Sequence, residues 1–452
     1  MRAALGIDIG TTTVCCIAVD VHSGKVLKSD TLSNDAFISA CAPWEKIQDC
    51  EAIAEKVLQL AESYIEVFQD IAAIGITGQM HGILYLDQEG RSVSPLYTWQ
   101  DGRGNLPVED TTYAGRFSEL TGIKAATGYG LVTHFYNLEN GLVPPQAVKI
   151  ATIHDYIAMR LCGLQSPVTH VSDAASLGAF NIAQNEFDFL ALERLGIDGS
   201  ILPAVTSEAV LAGYCKGIPV SVAIGDNQAS FIGSVQDGDP LLINVGTGSQ
   251  VSMLTDRTAG FGDWEIRPLY GTKRIAVGAC LCGGKAYAVL SDFFAQVGKE
   301  LFGVTNAKLY DAMDDLACDE AYLEVDTRFS GTRVNPQQRG AVKGIGVDNF
   351  TPSALITGTL AGMAQELELL YRQMKPHAAQ DSRIIVGSGN GIRMNKPLCR
   401  IVEKKFGMPL IIPEHREEAA FGAVLFALAA SGEYPDIASA QRTLIQYMER
   451  II

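Results

Sequence analysis

Two turns rich in glycine and threonine, each between two apolar segments, constrain this chain more than any other feature. The first turn, Gly10-Thr11-Thr12-Thr13, follows the apolar segment 4–9, and the second, Gly246-Thr247-Gly248-Ser249, follows segment 241–245. In register, Asp8 of the first copy corresponds to Asn244 of the second. Apolar strands on both sides of a glycine turn predict a β-hairpin. Two matched hairpins, far apart in the chain, predict two similar domains.

The two turns also predict a phosphate clamp. Glycine lets a backbone approach phosphate closely, and such a turn points N–H groups and small hydroxyls at the phosphate oxygens. Only the first copy carries a carboxylate, Asp8, as expected if one divalent cation is held on one side. A single copy would favour an ordinary hairpin, with Asp8 capping its turn. The matched pair favours the clamp.

Between the hairpins, strand and helix patterns alternate. Strands are predicted at 71–76, 220–224 and 383–386, and helices at 51–68, 357–374 and 417–430. This alternation is typical of an α/β chain with mixed sheets. A turn-rich segment at 234–239 marks a boundary, which gives an N-terminal domain at 1–234 and a C-terminal domain at 235–452.

Composition restricts the partners of the chain. The formal net charge of -16 over 452 residues repels nucleic acid and anionic lipid, and we expect neither as a partner. No apolar stretch reaches the roughly 20 residues of a membrane span. The ten cysteines lack structural-zinc spacing, which favours reduced thiols and a cytoplasmic location. The oligomeric state stays open, with a homodimer among the alternatives.

Five ordered motifs resemble those of the FGGY carbohydrate kinases. They are Asp8-Ile-Gly-Thr-Thr12, Gly78-Gln-Met-His-Gly82, Gly225-Asp-Asn-Gln-Ala229, Gly246-Thr-Gly248 and Gly387-Ser-Gly389. The resemblance spans nearly the whole chain. It implies two actin-like (ribonuclease H-like) domains with mixed sheets flanked by helices and a catalytic cleft between them. It also implies ATP and Mg²⁺ as cofactors and a small sugar as acceptor, with sugar binding and catalysis in the N-terminal domain and ATP binding in the C-terminal one.

Asp226 is the candidate general base. It directly follows a predicted strand and Gly225, and a carboxylate there can take the proton of an attacking sugar hydroxyl. From the residues alone, capping of the next helix is an equal alternative. The resemblance implies catalysis, because the catalytic aspartate of the family falls on this position.

The resemblance extends to the remaining site residues. Asp8 is expected to hold Mg²⁺. The expected ATP-binding residues are Gly10, Thr11, Thr12, Thr13, Gly246, Thr247, Gly248, Ser249, Gly387, Gly389, Asn390 and Asn395. Many relatives carry a basic residue where this chain has Cys15, so the balance of charge beside the phosphates stays open.

Two polar loops are expected to bind the sugar. The expected contacts are Gln79, Met80, His81, Trp99, Asp101, Arg103 and His154. A sugar site needs hydrogen-bond donors, acceptors and an apolar face, and these residues supply all three. For His81 and Trp99, a purely structural role is the alternative.

The segments Thr98–Arg103 and Thr152–Tyr156 are most similar to those of family members that phosphorylate the terminal hydroxyl of sedoheptulose. Xylulose or another pentulose is the alternative acceptor. An actin- or chaperone-like ATPase is the alternative of another class, but it needs no polar sugar loops. A nicotinamide dehydrogenase is disfavoured, since the first turn lacks G-x-G-x-x-G spacing and leads into a strand.

Overall fold

The computed structural model of the chain describes residues 2–39, 41–236, 240–260, 262–305, 309–318, 320, 323–332, 335 and 337–448. These fall into two compact units. The first unit comprises Met1–Gly233, Pro268–Lys273 and Glu417–Ile445, and the second comprises Ser234–Arg267, Arg274–Arg416 and Gln446–Ile452. The chain thus passes between units at residues 233–234, beside the predicted boundary. Residues 237–239 of the predicted boundary segment lie outside the described residues.

The N-terminal part of the first unit begins with the predicted hairpin. Its strands are β1 (Ala3–Ile9), β2 (Thr13–Asp20), β3 (Val26–Ser33), β4 (Ile47–Gln48), β5 (Ile71–Gly78), β6 (Leu84–Leu86), β7 (Leu96–Tyr97), β8 (Pro107–Val108), β9 (Thr111–Thr112), β10 (Lys149–Ala151), β11 (Val168–His170), β12 (Phe180–Asn181), β13 (Glu186–Phe187), β14 (Ala204–Thr206), β15 (Leu211–Cys215), β16 (Ile218–Ser221) and β17 (Ile224–Gly225). Its helices are α1 (Cys50–Val67), α2 (Tyr113–Thr121), α3 (Gly130–Glu139), α4 (Ile153–Leu161), α5 (Val171–Leu177), α6 (Phe189–Arg194) and α7 (Asp226–Ser234), with 3₁₀ turns at Arg103–Asn105 and Gly199–Ile201.

The main sheet of this unit has the order β15-β16-β5-β1-β2-β3, and β17 also pairs with β5. The strand predicted at 220–224 is divided between β16 and β17. Val220 pairs with Ile74, and Ile224 pairs with Thr77. The chain therefore advances four residues from Val220 to Ile224 while β5 advances three. The extra residue interrupts the strand as a bulge does.

Helix α1 covers this sheet, close to its predicted bounds. Asp49 accepts hydrogen bonds from the Glu51 and Ala52 N–H groups and so caps the helix start. One face of the helix, which includes Ile53, Val57 and Leu60, is buried in the same core cluster as the sheet. A second core cluster lies among α2, α3, α5 and α6.

The second unit contains the second predicted hairpin. Its strands are β18 (Pro240–Val245), β19 (Ser249–Thr255), β20 (Trp264–Tyr270), β21 (Lys273–Cys280), β22 (Glu324–Asp326), β23 (Ala341–Lys343), β24 (Ile384–Ser388) and β25 (Leu410–Ile411). Its helices are α8 (Gly284–Phe302), α9 (Leu309–Leu316), α10 (Pro352–Met374), α11 (Asn390–Met394) and α12 (Lys396–Phe406), with a 3₁₀ turn at Lys375–His377. The sheet order is β20-β21-β19-β18-β24-β25.

The two sheets repeat one topology. In each, the first hairpin strand is antiparallel to the second and parallel to a later strand: β1 pairs with β2 and β5, and β18 pairs with β19 and β24. Asp8 lies opposite Thr77, and Asn244 lies opposite Ser388 at the corresponding position. The predicted duplication of the hairpin is present in the structure.

The chain returns to the first unit through α13 (Glu418–Ala430) and α14 (Ile437–Leu444). Helix α13 is apolar on almost every side, as expected for a helix enclosed in a core. It packs on β1 and β5 where both strands carry glycine. A Cβ at Gly6 or Gly75 would lie 2.1 or 1.9 Å from a backbone oxygen of α13. Glycine is therefore required for this close contact.

Among the described residues, no helix combines the length and the apolar character needed to cross a bilayer. The ten cysteines, all of which are described, form no disulfide.

Candidate functional site

Asp8 lies near the end of β1 as a partly buried carboxylate. Its Oδ1 is buried and has no hydrogen-bond partner among the described residues. Burial raises the pKa of Asp8 to about 7, with further contributions from Asp226 and Glu417, while His154 opposes them. An inward oxygen without a donor destabilises the ionised acid. A divalent cation would satisfy that oxygen, and the position fits the predicted Mg²⁺ ligand.

The first turn is joined to both predicted sugar loops. Trp99 Nε1 donates to Thr11 Oγ1 (2.9 Å), and Thr11 Oγ1 donates to Gln79 Oε1 (3.1 Å). Gln48 completes the network, since its Nε2 donates to the Thr11 carbonyl (2.8 Å) and its Oε1 accepts from Gln79 Nε2 (2.9 Å). Gln79 is only 3% exposed, whereas Trp99 is 46% exposed. Gln79 therefore holds the turn from inside, and Trp99 presents an accessible ring.

Asp226 is the first residue of α7 and directly follows β17. The sequence offered two interpretations of Asp226, a side chain at a strand end and a residue at a helix start. Its position in the structure is compatible with both. Met80 packs against Gly225, the residue before Asp226. A Cβ on Gly225 would lie only 2.7 Å from Met80 Sδ. The structure therefore brings the predicted base beside the Gln79–His81 loop.

His81 has a positive φ of 73°, a strained conformation for a residue with a side chain. Contacts with Ser176 and Tyr129 hold it. Its N–H donates to Ser176 Oγ (3.2 Å), its Nδ1 donates to the Ser176 carbonyl (2.7 Å), and its ring stacks on Tyr129 at 4.8 Å between centroids. A carbonyl can only accept, so Nδ1 carries the proton. In the neutral ring, Nε2 is then an acceptor.

Asp101 and Arg103 form a buried ion pair. Arg103 Nε donates to Asp101 Oδ1 (2.6 Å), and another guanidinium nitrogen donates to Asn137 Oδ1 (2.5 Å). The guanidinium also lies 4.2 Å from the centre of the Tyr97 ring. With exposures of 0% and 2%, the pair is occupied by protein partners. This burial does not support the direct sugar contacts predicted for the two residues; their contacts hold the loop that carries Trp99.

His154 also lies in the interior, at 0% exposure. Its Nε2 is 2.9 Å from Asp173 Oδ1. Burial alone lowers the pKa of His154, but the nearby carboxylates of Asp173, Asp155 and Asp226 outweigh that effect and raise it to about 9. The spacing of His154, Asp155 and Asp173 would suit a cation. The side chain of His154 is enclosed by protein, and this burial does not support the predicted sugar contact.

Cys15 lies opposite Asp8 in the first hairpin. It is 4% exposed, and burial raises the pKa of its thiol to about 12, so the thiol stays neutral. The position beside Asp8 therefore contributes no positive charge.

In the second unit, the second turn is backed by the start of α8. The Gly284 N–H donates to the Gly246 carbonyl (2.9 Å), and the Lys285 N–H donates to the Thr247 carbonyl (3.0 Å). A Cβ at Gly283 would lie 2.4 Å from the Gly248 carbonyl carbon. Because of these contacts, the carbonyls of Gly246 and Thr247 point toward α8. Gly246 and Thr247 themselves are exposed.

The predicted adenosine motif lies beside the same turn. Its strand β24 pairs with β18, and Gly389, with φ of 79°, approaches the Val245 carbonyl so closely that a Cβ would lie 2.6 Å away. Asn390 is exposed at the start of α11. Asn395 is 7% exposed, because its Oδ1 caps α12 and its Nδ2 donates to Asp314. The structure thus brings together the ATP motifs of the second unit, with Asn395 supporting them from inside.

Several residues of this site were not found from the sequence. Gln48, Ser172 and Ser176 act through contacts across long stretches of chain, which no local pattern indicates. Lys285 could have been found, since it follows two glycines and precedes a helical pattern.

Comparison with known proteins covers both units. Residues 3–233 match the N-terminal domain of the FGGY family of carbohydrate kinases, and residues 241–431 match the C-terminal domain of that family. The chain is 27% identical to a sedoheptulokinase of Mus musculus, covering 94% of this chain and 97% of that protein. It is 29% identical to a xylulose kinase of Streptomyces rubiginosus over 58% of each.

Among solved structures, a ligand-bound xylulose kinase from Lactobacillus acidophilus aligns with a TM-score of 0.83 at 18% identity, covering 99% of this chain and 93% of that one. This likeness concerns the fold. The predicted α/β architecture of two actin-like domains with mixed sheets is confirmed. Both family domains are matched in order, and the chain belongs to the FGGY family of carbohydrate kinases, enzymes that phosphorylate sugars.

Proposed function

We propose that this sugar kinase transfers the γ-phosphoryl group of ATP to the terminal hydroxyl of a ketose, with sedoheptulose as the preferred acceptor and sedoheptulose 7-phosphate as the product. The observation that carries the proposal is the placement of Asp226. The carboxylate follows β17 directly, and Met80 of the predicted sugar loop packs against the residue before it.

In this proposal Asp226 is the general base. As the sugar oxygen bonds to the γ-phosphorus and the bond to the departing ADP oxygen breaks, the hydroxyl proton passes to the Asp226 carboxylate. A positioned base and a sugar held against it are the main contributions of the protein, since this transfer needs little other covalent chemistry. Mg²⁺, when bound by Asp8, would neutralise charge on the phosphates.

Each unit offers the backbone groups of a glycine turn to the phosphates of ATP. We assign the phosphates to the turns Gly10–Thr13 and Gly246–Ser249, and the nucleoside to Gly387, Gly389 and Asn390. The open surroundings of Gly246, where an added Cβ would find nothing nearer than 3.9 Å, support a role in admitting a ligand. Lys285, exposed in the first turn of α8, is a candidate for a positive charge near the second turn.

The sugar would contact the exposed members of the two loops. Trp99 offers an apolar ring, and the partly exposed His81 offers a hydrogen-bonding imidazole. Gln79, Asp101 and Arg103 would fix these loops from behind. All candidate sugars present a primary hydroxyl to the base, so discrimination must come from the far end of the sugar. Sites that hydrogen-bond a hydroxyl reject analogues that lack it.

A comparison of kcat/KM for sedoheptulose, xylulose and glycerol tests the proposal. We expect the highest value for sedoheptulose, because the seven-carbon chain fills polar positions that shorter acceptors leave unpaired. A preference for xylulose would contradict the assigned acceptor and favour the pentulose alternative. The nearly full-length similarity to a sedoheptulokinase supports the first outcome.

A further inference from the structure

A chain of buried polar side chains lies directly behind Asp226. The Gly225 N–H donates to Ser172 Oγ (3.0 Å), and the Ser172 hydroxyl donates to Asp173 Oδ2 (3.1 Å). The other Asp173 oxygen lies 2.9 Å from His154 Nε2. Ser172, Asp173 and His154, which we call the buried tether, are each at most 1% exposed. The tether connects the residue before the catalytic carboxylate to the protein interior.

The same short helix, α5, also holds the sugar loop. Ser176 of α5 accepts the His81 N–H at its Oγ and donates to the Asp173 carbonyl (2.8 Å). At the other end of the tether, His154 lies below the end of β5, where a Cβ at Gly78 would be 3.2 Å from His154 Nδ1. The strand ends that carry the base and the sugar loop are thus both in contact with the α4–α5 region.

The tether also places a positive charge among carboxylates. Asp173, Asp155 and Asp226 all act on His154, and their charges outweigh its burial. His154 in turn favours the ionised form of Asp8. A buried cation close to several acids lowers the cost of keeping them ionised.

We propose that His154, Asp173 and Ser172 are positioning residues, which hold the strand end before Asp226 in place without touching the sugar. The inference rests on the proposed role of Asp226 as general base. It gives His154 a different role from the sugar contact expected from sequence. A positioning residue affects the chemical step, whereas a sugar contact mainly affects substrate binding.

The first test is His154→Gln, with sedoheptulose and ATP as substrates. We expect kcat to fall about 10- to 100-fold, the cost of misplacing a catalytic group, with the sugar KM nearly unchanged. The acid limb of the kcat/KM profile should move to higher pH, because the Coulomb interaction between His154 and Asp226 is lost.

The second test removes one oxygen of the tether. Ser172→Ala deletes the acceptor of the Gly225 N–H, and it should lower kcat with little change in KM. Ser221→Ala is the matched control, since Ser221 is equally buried in the same unit and its hydroxyl has no hydrogen-bond partner among the described residues. The control should keep the wild-type kcat. Thermal unfolding of each variant checks that it is folded. If His154→Gln does not fold, the kinetics of Ser172→Ala alone decide the test.

The inference would be overturned if folded His154→Gln and Ser172→Ala had the same kcat and pH profile as the wild type. A change confined to the sugar KM would also overturn it. In either case an active wild-type enzyme leaves the proposed function standing. If the wild-type chain phosphorylated no sugar, the proposed function would fail, and the inference would fail with it.

Discussion

The two hairpins share a topology and differ in charge. Each has a first strand between an antiparallel and a parallel neighbour, and each continues into a glycine turn with two exposed residues. In the first, Asp8 carries a buried oxygen that has no hydrogen-bond partner in the described part of the chain; in the second, Asn244 donates from Nδ2 to Ser388 Oγ at 2.8 Å. The two hairpins therefore share a backbone, but Asp8 has an oxygen available for a ligand, whereas the side-chain amide of Asn244 is hydrogen-bonded within the protein.

This difference indicates that the shared hairpin backbone determines where the turns lie. Single side chains determine the chemical role of each turn. Asp8, the candidate base and the predicted sugar loops all belong to the first unit, whereas the second unit offers a backbone turn, small residues and Lys285. The following predictions test this division.

The largest effect is expected for Asp226→Asn. Loss of the base should lower kcat by about 10²- to 10⁴-fold while ATP binding is retained. Asp188→Asn is the control, because Asp188 caps α6 through the Ala191 N–H, and asparagine caps equally well. If Asp226→Asn were as active as Asp188→Asn, the role of Asp226 would be reduced to capping. Steady-state kinetics and nucleotide titration measure both quantities.

The next effect is expected for Asp8→Asn, which gives the first hairpin the residue of the second. We expect kcat to fall about 10²- to 10³-fold, the usual cost of removing one preorganised electrostatic group from a site. The dependence on Mg²⁺ concentration should shift to higher values. Normal turnover with an unchanged Mg²⁺ titration would show that the acid of the first hairpin is dispensable.

A smaller effect is expected for Gly246→Ala in the second turn. Among the described residues, an added methyl meets no atom nearer than 3.9 Å, so Tm should be unchanged, but we expect the KM for ATP to rise about tenfold, or 1.4 kcal/mol. Gly75→Ala provides the contrast, because its Cβ would overlap the Ala423 carbonyl at 1.9 Å and should destabilise the fold. An unchanged KM in Gly246→Ala would argue against a phosphate at this turn.

The smallest effect is expected for Asn244→Ala. Loss of its hydrogen bond to Ser388 should lower the free energy of unfolding by about 1 kcal/mol, with the sugar KM unchanged. Chemical denaturation gives the first quantity and kinetics the second. A large loss of activity at wild-type stability would mean that Asn244 acts in catalysis as Asp8 is proposed to do.

Local patterns predicted much of the fold. The hairpins, α1 and most of α10 follow from apolar periodicity and glycine, which act over a few residues. The return of α13 to the first unit was not predicted, because packing against Gly6 and Gly75 joins residues about 350 to 400 positions apart.

The site was predicted less completely, for the same reason. Motifs identified Asp8 and Asp226, which lie at strand ends. The burial of Asp101, Arg103 and His154 depends on partners elsewhere in the chain, such as Asn137 and Asp173, and polar residues in a loop give no sign of such pairing.

The most direct test of the central claim is the stoichiometry of the reaction. With purified enzyme, ATP, Mg²⁺ and sedoheptulose, ADP release and phosphorylated sugar should be measured together. The proposed function predicts equal amounts of ADP and sedoheptulose 7-phosphate, and little ADP without sugar. Release of ADP and inorganic phosphate at a rate independent of sugar would contradict the proposed function and favour an ATPase.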